Sequence, residues 1–287
     1  MVGDRMLRRW HLAVFAVLAA LALACEGSGQ QAGTGTTKPP AKGYPSSIAA
    51  LGDSITAGVG SCAIYAACWR NSWSTGSSTG VQSHYLRIRA KNPKIKGHVA
   101  NYAEPGARAR DLAGQAASAV KSKAAYVTVL IGANDICSGG AAAMTPVRTF
   151  RDQIDSGLAR LKKGLPKAHV LVVSIPDLHR LWELGHDDPR AVRAWNRGIC
   201  PAMLANPTST AAADDKRRRL VADRIDQYDH ELAEACQAYG SRCRWDGGAV
   251  HGVRFSLDLV NRSDYFHPNA EGQKRLAEAT YPGRINW

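Results

Sequence analysis

The stretch Ser47-Ile48-Ala49-Ala50-Leu51-Gly52-Asp53-Ser54-Ile55-Thr56-Ala57-Gly58 decides the fold. Its first residues run apolar without polar alternation and stop at a glycine, as a strand buried on both faces of a parallel sheet does. Outward from it the pattern recurs: apolar runs predict strands at Ser47–Leu51, Gly97–Tyr102, Tyr126–Ile131 and His169–Ile175, with a weaker one at Arg242–Trp245. Helix-compatible segments fall between and after them, at Gln82–Lys91, Arg108–Lys121, Pro146–Lys163, Asp214–Tyr239 and Ala270–Thr280. In the fourth, Leu220, Val221, Ile225, Tyr228, Leu232 and Ala235 recur at helical spacing. Strands alternating with helices predict an α/β domain with a parallel sheet flanked by helices. No internal repeat or second linker interrupts it, so residues 47–287 read as one domain.

The remaining residues concern location. Arg5, Arg8 and Arg9 precede an apolar run, Leu12–Ala24, that ends in Ala22-Leu23-Ala24, so residues 1–24 read as an export signal. Leu21-Ala22-Leu23-Ala24-Cys25 resembles a permissive bacterial lipobox, in which Cys25 is lipidated and becomes the mature N-terminus. An ordinary cleavage site would cut the same bond and leave a secreted protein with one spare thiol. Residues 25–46, rich in Gly, Gln, Thr, Lys and Pro, read as a flexible tether. With 45% hydrophobic and 21% charged residues, the 287-residue chain is not disordered throughout. No apolar run is long enough for a polytopic membrane protein.

In an open parallel sheet, ligands meet the carboxyl ends of the strands. The first strand ends in Gly52-Asp53-Ser54-Ile55-Thr56-Ala57-Gly58, the second in Asn101-Tyr102-Ala103-Glu104-Pro105-Gly106-Ala107, and the third in Gly132-Ala133-Asn134-Asp135. Asp264-Tyr265-Phe266-His267-Pro268-Asn269 precedes the last helix. Thr56 occupies the place of the second glycine of a Gly-x-Ser-x-Gly elbow, so this is not the serine turn of an α/β-hydrolase. Taken singly, each segment also reads as a turn or a helix cap.

Together and in this order, the four segments resemble the SGNH hydrolases, also called the GDSL esterase/lipase family. Ser54, Gly106, Asn134 and His267 match the signature positions, Asp264 matches the usual acid partner, and the likeness spans roughly residues 47–287. The resemblance implies a three-layer α/β/α sandwich around a central five-stranded parallel sheet, flavodoxin-like in topology. It also implies a Ser54–His267–Asp264 triad and an oxyanion hole made by the N–H groups of Ser54 and Gly106 and the side-chain amide of Asn134. The chemistry of these residue types agrees. A serine hydroxyl needs a base to take its proton, a carboxylate fixes the base's tautomer, and an uncharged amide steadies an oxyanion. Asp53 and Asp135 read as structural, holding their loops through backbone hydrogen bonds.

Beyond Cys25 stand six cysteines: Cys62, Cys68, Cys137, Cys200, Cys236 and Cys243. Short separations favour Cys62 with Cys68 and Cys236 with Cys243, leaving Cys137 with Cys200, although six cysteines permit about 15 pairings. Their spacing, in an exported chain and without histidines at metal distance, disfavours zinc. The basic run Lys216-Arg217-Arg218-Arg219 reads as a solvated helix face, and Trp69, Trp73 and Trp182 are candidates for lining a pocket or for burial. Asn71–Gly76 and Trp182–Lys216 match no motif. The expectation is a monomeric extracytoplasmic serine ester hydrolase that uses no metal or organic cofactor and binds no nucleic acid. Its substrate would be a small-molecule, lipid or glycan ester. A carbohydrate O-acetyl esterase and a catalytically silent binding protein on the same scaffold are the alternatives.

Overall fold

The structure is a computed structural model and describes residues 42–137 and 139–287; the export signal, Cys25 and most of the tether lie outside the described residues. Five parallel strands form one sheet: β1 (Ile48–Gly52), β2 (Val99–Asn101), β3 (Tyr126–Leu130), β4 (His169–Val173) and β5 (Cys243–Trp245), in the spatial order β2-β1-β3-β4-β5. In the central strands Ala50 pairs with Thr128, and Thr128 with Leu171. Every residue of β1 and β3 is buried, which explains why they are apolar but for Thr128, whose hydroxyl is paired with that of Ser74.

Alternate strand residues feed two cores. Ala49, Leu51, Val127, Val129, Val170 and Val172 face one layer, where they pack with α2 (Leu112–Lys121), α4 (Val147–Gly164) and α8 (Ala212–Tyr239). Ile48, Tyr126, Leu130, Leu171 and Val173 face the other, with α1 (His84–Arg89) and α9 (Ala270–Thr280). The result is the three-layer α/β/α sandwich expected from the sequence. All five strands match the apolar runs to within two residues at either end. The shorter β2 keeps only the middle of its run, where the edge of the sheet gives the ladder a single neighbour.

The segment without a motif is helical too. It contributes the second half of α5 (Leu178–Gly185), then α6 (Pro189–Trp195), α7 (Pro201–Leu204) and the start of α8. One-turn α3 (Ala133–Ile136) follows β3. Aspartates cap the first two of these: Asp177 accepts from Arg180 N–H and Asp188 from Arg190 N–H.

Two expectations for α8 need correction. Leu220 is 46% exposed, so the buried stripe begins at Val221. The basic run is not a solvated face, because the chain before α8 folds back over its first turns and presents free carbonyls. Arg217 donates to the carbonyls of Ala202 and Ala205 and to Asp214. Arg218 is buried, donates to the Ser209 carbonyl and lies 4.0 Å from the Trp182 ring centre. Only Lys216 and Arg219 face water.

Three disulfides join Cys62 to Cys68, Cys137 to Cys200 and Cys236 to Cys243. Ahead of β1, Gly43 O accepts from Ile285 N–H, and Asn92 donates to the carbonyls of Tyr44 and Pro45, so these residues are tied to the body. Among the described residues no helix is long and apolar enough to cross a membrane.

Candidate active site

The turn after β1 is built before it is used. Gly52 sits at φ +145°, and a Cβ there would lie 2.2 Å from the Leu130 carbonyl, so only glycine lets β1 leave the sheet here. Gln115 on α2 clamps the same residue, accepting from Gly52 N–H at 2.7 Å and donating to Gly52 O at 2.8 Å. From the opposite layer, Gln273 on α9 donates to Ile55 O at 2.7 Å and accepts from Trp73 N–H at 2.9 Å. Trp73 is fully buried and its indole N–H reaches Thr56 Oγ1, so it braces the turn and lines no pocket; Trp69 is 53% exposed. Ser72 and Thr75 join through Asn101, whose side-chain amide also donates to Thr56 O. The unassigned Asn71–Gly76 stretch is thus a buried polar brace.

Asp53 is completely buried, and its Oδ1 accepts from Ile55 N–H. Burial pushes its carboxyl up to about 7, against the lowering effect of that hydrogen bond and of His267. Asp135 has the matching role on the third loop. It accepts from Ala109 N–H and Thr145 Oγ1, and burial raises its carboxyl too.

The histidine loop is fixed from several sides. Asn261 N–H donates to His267 O, Asn261 Nδ2 to Gly60 O, and Trp195 Nε1 on α6 to Tyr265 O. Asn269 caps α9 through Glu271 and Gly272 N–H while its amide donates to the carbonyls of Asp258 and Val260.

These supports bring Ser54, His267 and Asp264 together across more than two hundred residues of sequence. Ser54 Oγ lies 2.9 Å from His267 Nε2, and His267 Nδ1 lies 2.5 Å from Asp264 Oδ2. Asp264 Oδ1 accepts from the N–H groups of Phe266 and His267, which holds the carboxylate in place. Burial pushes Asp264 up, but the hydrogen bonds and charge of His267, with a hydrogen bond from Tyr65, outweigh it and hold the carboxyl below its ordinary value. His230, which also has aspartates close in sequence, is exposed on α8.

Gly106 adopts φ +85° with open space around its Cα, so its need for glycine is conformational. Among the described residues, no protein group accepts from the N–H of Ser54 or of Gly106. Asn134 sits on α3 and donates from Nδ2 to Ala107 O at 3.0 Å, which turns its amide toward the Gly106 loop. An apolar cleft lies alongside, lined by Ile55, Phe266 and Pro268, the chain neighbours of Ser54 and His267, and by Leu178, Leu181 and Phe255. Trp182 lies elsewhere, donating to Pro207 O. Three polar residues escaped the sequence reading: Gln115, Gln273 and Tyr65. Their partners stand 63, 218 and 199 residues away, a separation that no local pattern reports.

A serine, a histidine and a buried carboxylate in hydrogen-bonded series at the carboxyl edge of a parallel sheet form the arrangement of a serine hydrolase. Residues 48–280 match the GDSL-like lipase/acylhydrolase family, and the chain belongs to it. Over 289 aligned positions it is 29% identical to the membrane-associated phospholipase B1 of Rattus norvegicus, covering 83% of this chain and 19% of the rat protein. The chain therefore spans about a fifth of that relative's length. Among solved structures it is similar to the extracellular lipase of Streptomyces rimosus, with a TM-score of 0.48 and 20% identity over 81% of this chain and 97% of the lipase. It is also similar to phospholipase A1 of Streptomyces albidoflavus, with a TM-score of 0.48 and 19% identity over 82% and 98% of the two chains.

Proposed function

We propose that the chain is a serine ester hydrolase in which Ser54 is the nucleophile, His267 the general base and acid, and Asp264 the group that orients His267. The observation that carries the reading is the unbroken series from Ser54 Oγ through the His267 ring to Asp264 Oδ2. Ser54 attacks the ester carbonyl as Nε2 takes its proton. The oxyanion then accepts from the N–H groups of Ser54 and Gly106 and from the Asn134 amide hydrogen not given to Ala107. His267 returns the proton to the departing alcohol, and water, deprotonated by the same ring, releases the acyl group as a carboxylic acid.

The nearby cleft is small and mostly apolar, with Ile55, Phe266 and Pro268 beside Ser54 and His267 in the chain, which supports trying apolar acyl esters before glycan acetates. The family, and a relative named a phospholipase B1, support trying glycerolipid esters as substrates. Three disulfides among the described residues support work outside the cytoplasm, after export directed by residues 1–24 and with attachment through a lipidated Cys25.

The test compares hydrolysis of nitrophenyl acetate, butyrate and octanoate, beside acetylated oligosaccharides, by the wild type and Ser54→Ala. Turnover of the nitrophenyl esters should fall by at least about 10⁴-fold in the variant. Turnover of acetylated oligosaccharides alone would assign the site to glycan deacetylation. No Ser54-dependent turnover of any ester would leave a binding protein on this scaffold.

A further inference from the structure

A ring closed by the Cys62–Cys68 bridge reaches the edge of the site. Its two ends are anchored: Asn71 Nδ2 donates to Ser61 O at 2.6 Å, and Cys68 N–H to Ala57 O at 3.0 Å. Its tip turns outward, with Ile64 76% exposed. Tyr65, the next residue, turns back. Its hydroxyl donates to Asp264 Oδ2 at 2.7 Å and lies 3.3 Å from His267 Nδ1. The ring edge meets the imidazole at 72°, with centroids 6.1 Å apart.

We propose that Tyr65 is a positioning residue of this site, held by the Cys62–Cys68 ring, which locks the Asp264 carboxylate in line with His267 Nδ1 and sets how strongly it attracts the imidazolium. The inference rests on the Ser54–His267–Asp264 reading. Oδ2 is the one oxygen that serves His267 Nδ1, and Tyr65 shares it. A second donor on that oxygen fixes its lone-pair direction and spreads its charge, so that the carboxylate pulls less on the imidazolium proton. The phenol itself is pushed up by burial and by its bond to Asp264, and therefore remains a donor at every working pH. The other charged or titratable groups facing this corner are Asp53 beneath His267 and Arg197, which acts on Tyr65 and donates to Ser263 O.

Tyr65→Phe keeps the ring and removes only the hydroxyl. Loss of one hydrogen bond to a charged group predicts a fall in kcat of roughly tenfold at unchanged KM. The acid limb of the kcat/KM profile should move to higher pH, because Asp264 then holds the imidazolium more firmly. Cys62→Ser with Cys68→Ser, checked for an unchanged fold by circular dichroism, should reproduce both effects, and adding Tyr65→Phe to it should cost less than in the wild type. An unmoved acid limb with unchanged kcat would overturn the proposal, and a raised KM at constant kcat would make Tyr65 a substrate contact instead. If Ser54→Ala retains full turnover, the triad reading itself is wrong, an outcome distinct from either.

Discussion

At the scale of single residues, the proposed mechanism asks for uncharged donors as well as the triad. Asn134 spends one amide hydrogen on Ala107 O, and that bond aims the other. Asn134→Ala removes a donor without touching the base. Its kcat should fall about 10²–10³-fold, with the pH profile keeping its shape and the melting temperature little changed. A variant with wild-type kcat would exclude Asn134 from the oxyanion hole. Asn134→Asp is the sharper contrast, since a carboxylate would repel the oxyanion from the same position.

Among the elements, the bridge from Cys137, one residue past α3, to Cys200, just ahead of α7, ties the one-turn helix that carries Asn134 to the segment between α6 and α7. Replacing both cysteines by alanine should lower stability by about 2–4 kcal/mol, because the closed loop is long, and should lower kcat as well. Thermal unfolding and turnover on the same preparation check this, and unchanged values for both would make the bridge incidental. The strands and the four site segments were legible in the sequence because each is local: a buried apolar run, then a turn written in glycine, aspartate and asparagine. The supports were not. Trp73 reads as any tryptophan until β1 and α9 close around it, and Arg218 reads as solvated until the Ser209 carbonyl arrives. The small helices α5 to α7 lack the long periodic face that announces α4 or α8, and the aspartates that cap the first two, Asp177 and Asp188, look like loop residues in the sequence.

Across the whole molecule, buried titratable groups set a stability profile. Burial raises Asp53 to about 7 and Asp229 to about 8, both from an ordinary 3.8. Such groups stabilise the fold fully below about 4, and that contribution is lost as pH climbs through 7 to 8. His84 is wedged between Tyr126 and Thr280 and lowered by burial to about 3, so its contribution is present above its ordinary 6.5 and is lost as pH falls toward 3. The melting temperature should therefore decline between pH 6 and pH 9, and Asp53→Asn, which keeps the acceptor for Ile55, should flatten that decline by roughly 1 kcal/mol. Scanning calorimetry of both proteins at the two pH values decides it, and parallel slopes would remove Asp53 from the account. The clamps on the serine turn behave differently. Gln115 and Gln273 are primary amides with no proton to gain or lose in this range, and each grips main chain that is equally indifferent to acid. If protonation of His267 stops the proposed hydrolysis, the turn would keep its shape, and activity would return as fast as the buffer is restored, with no folding step in between.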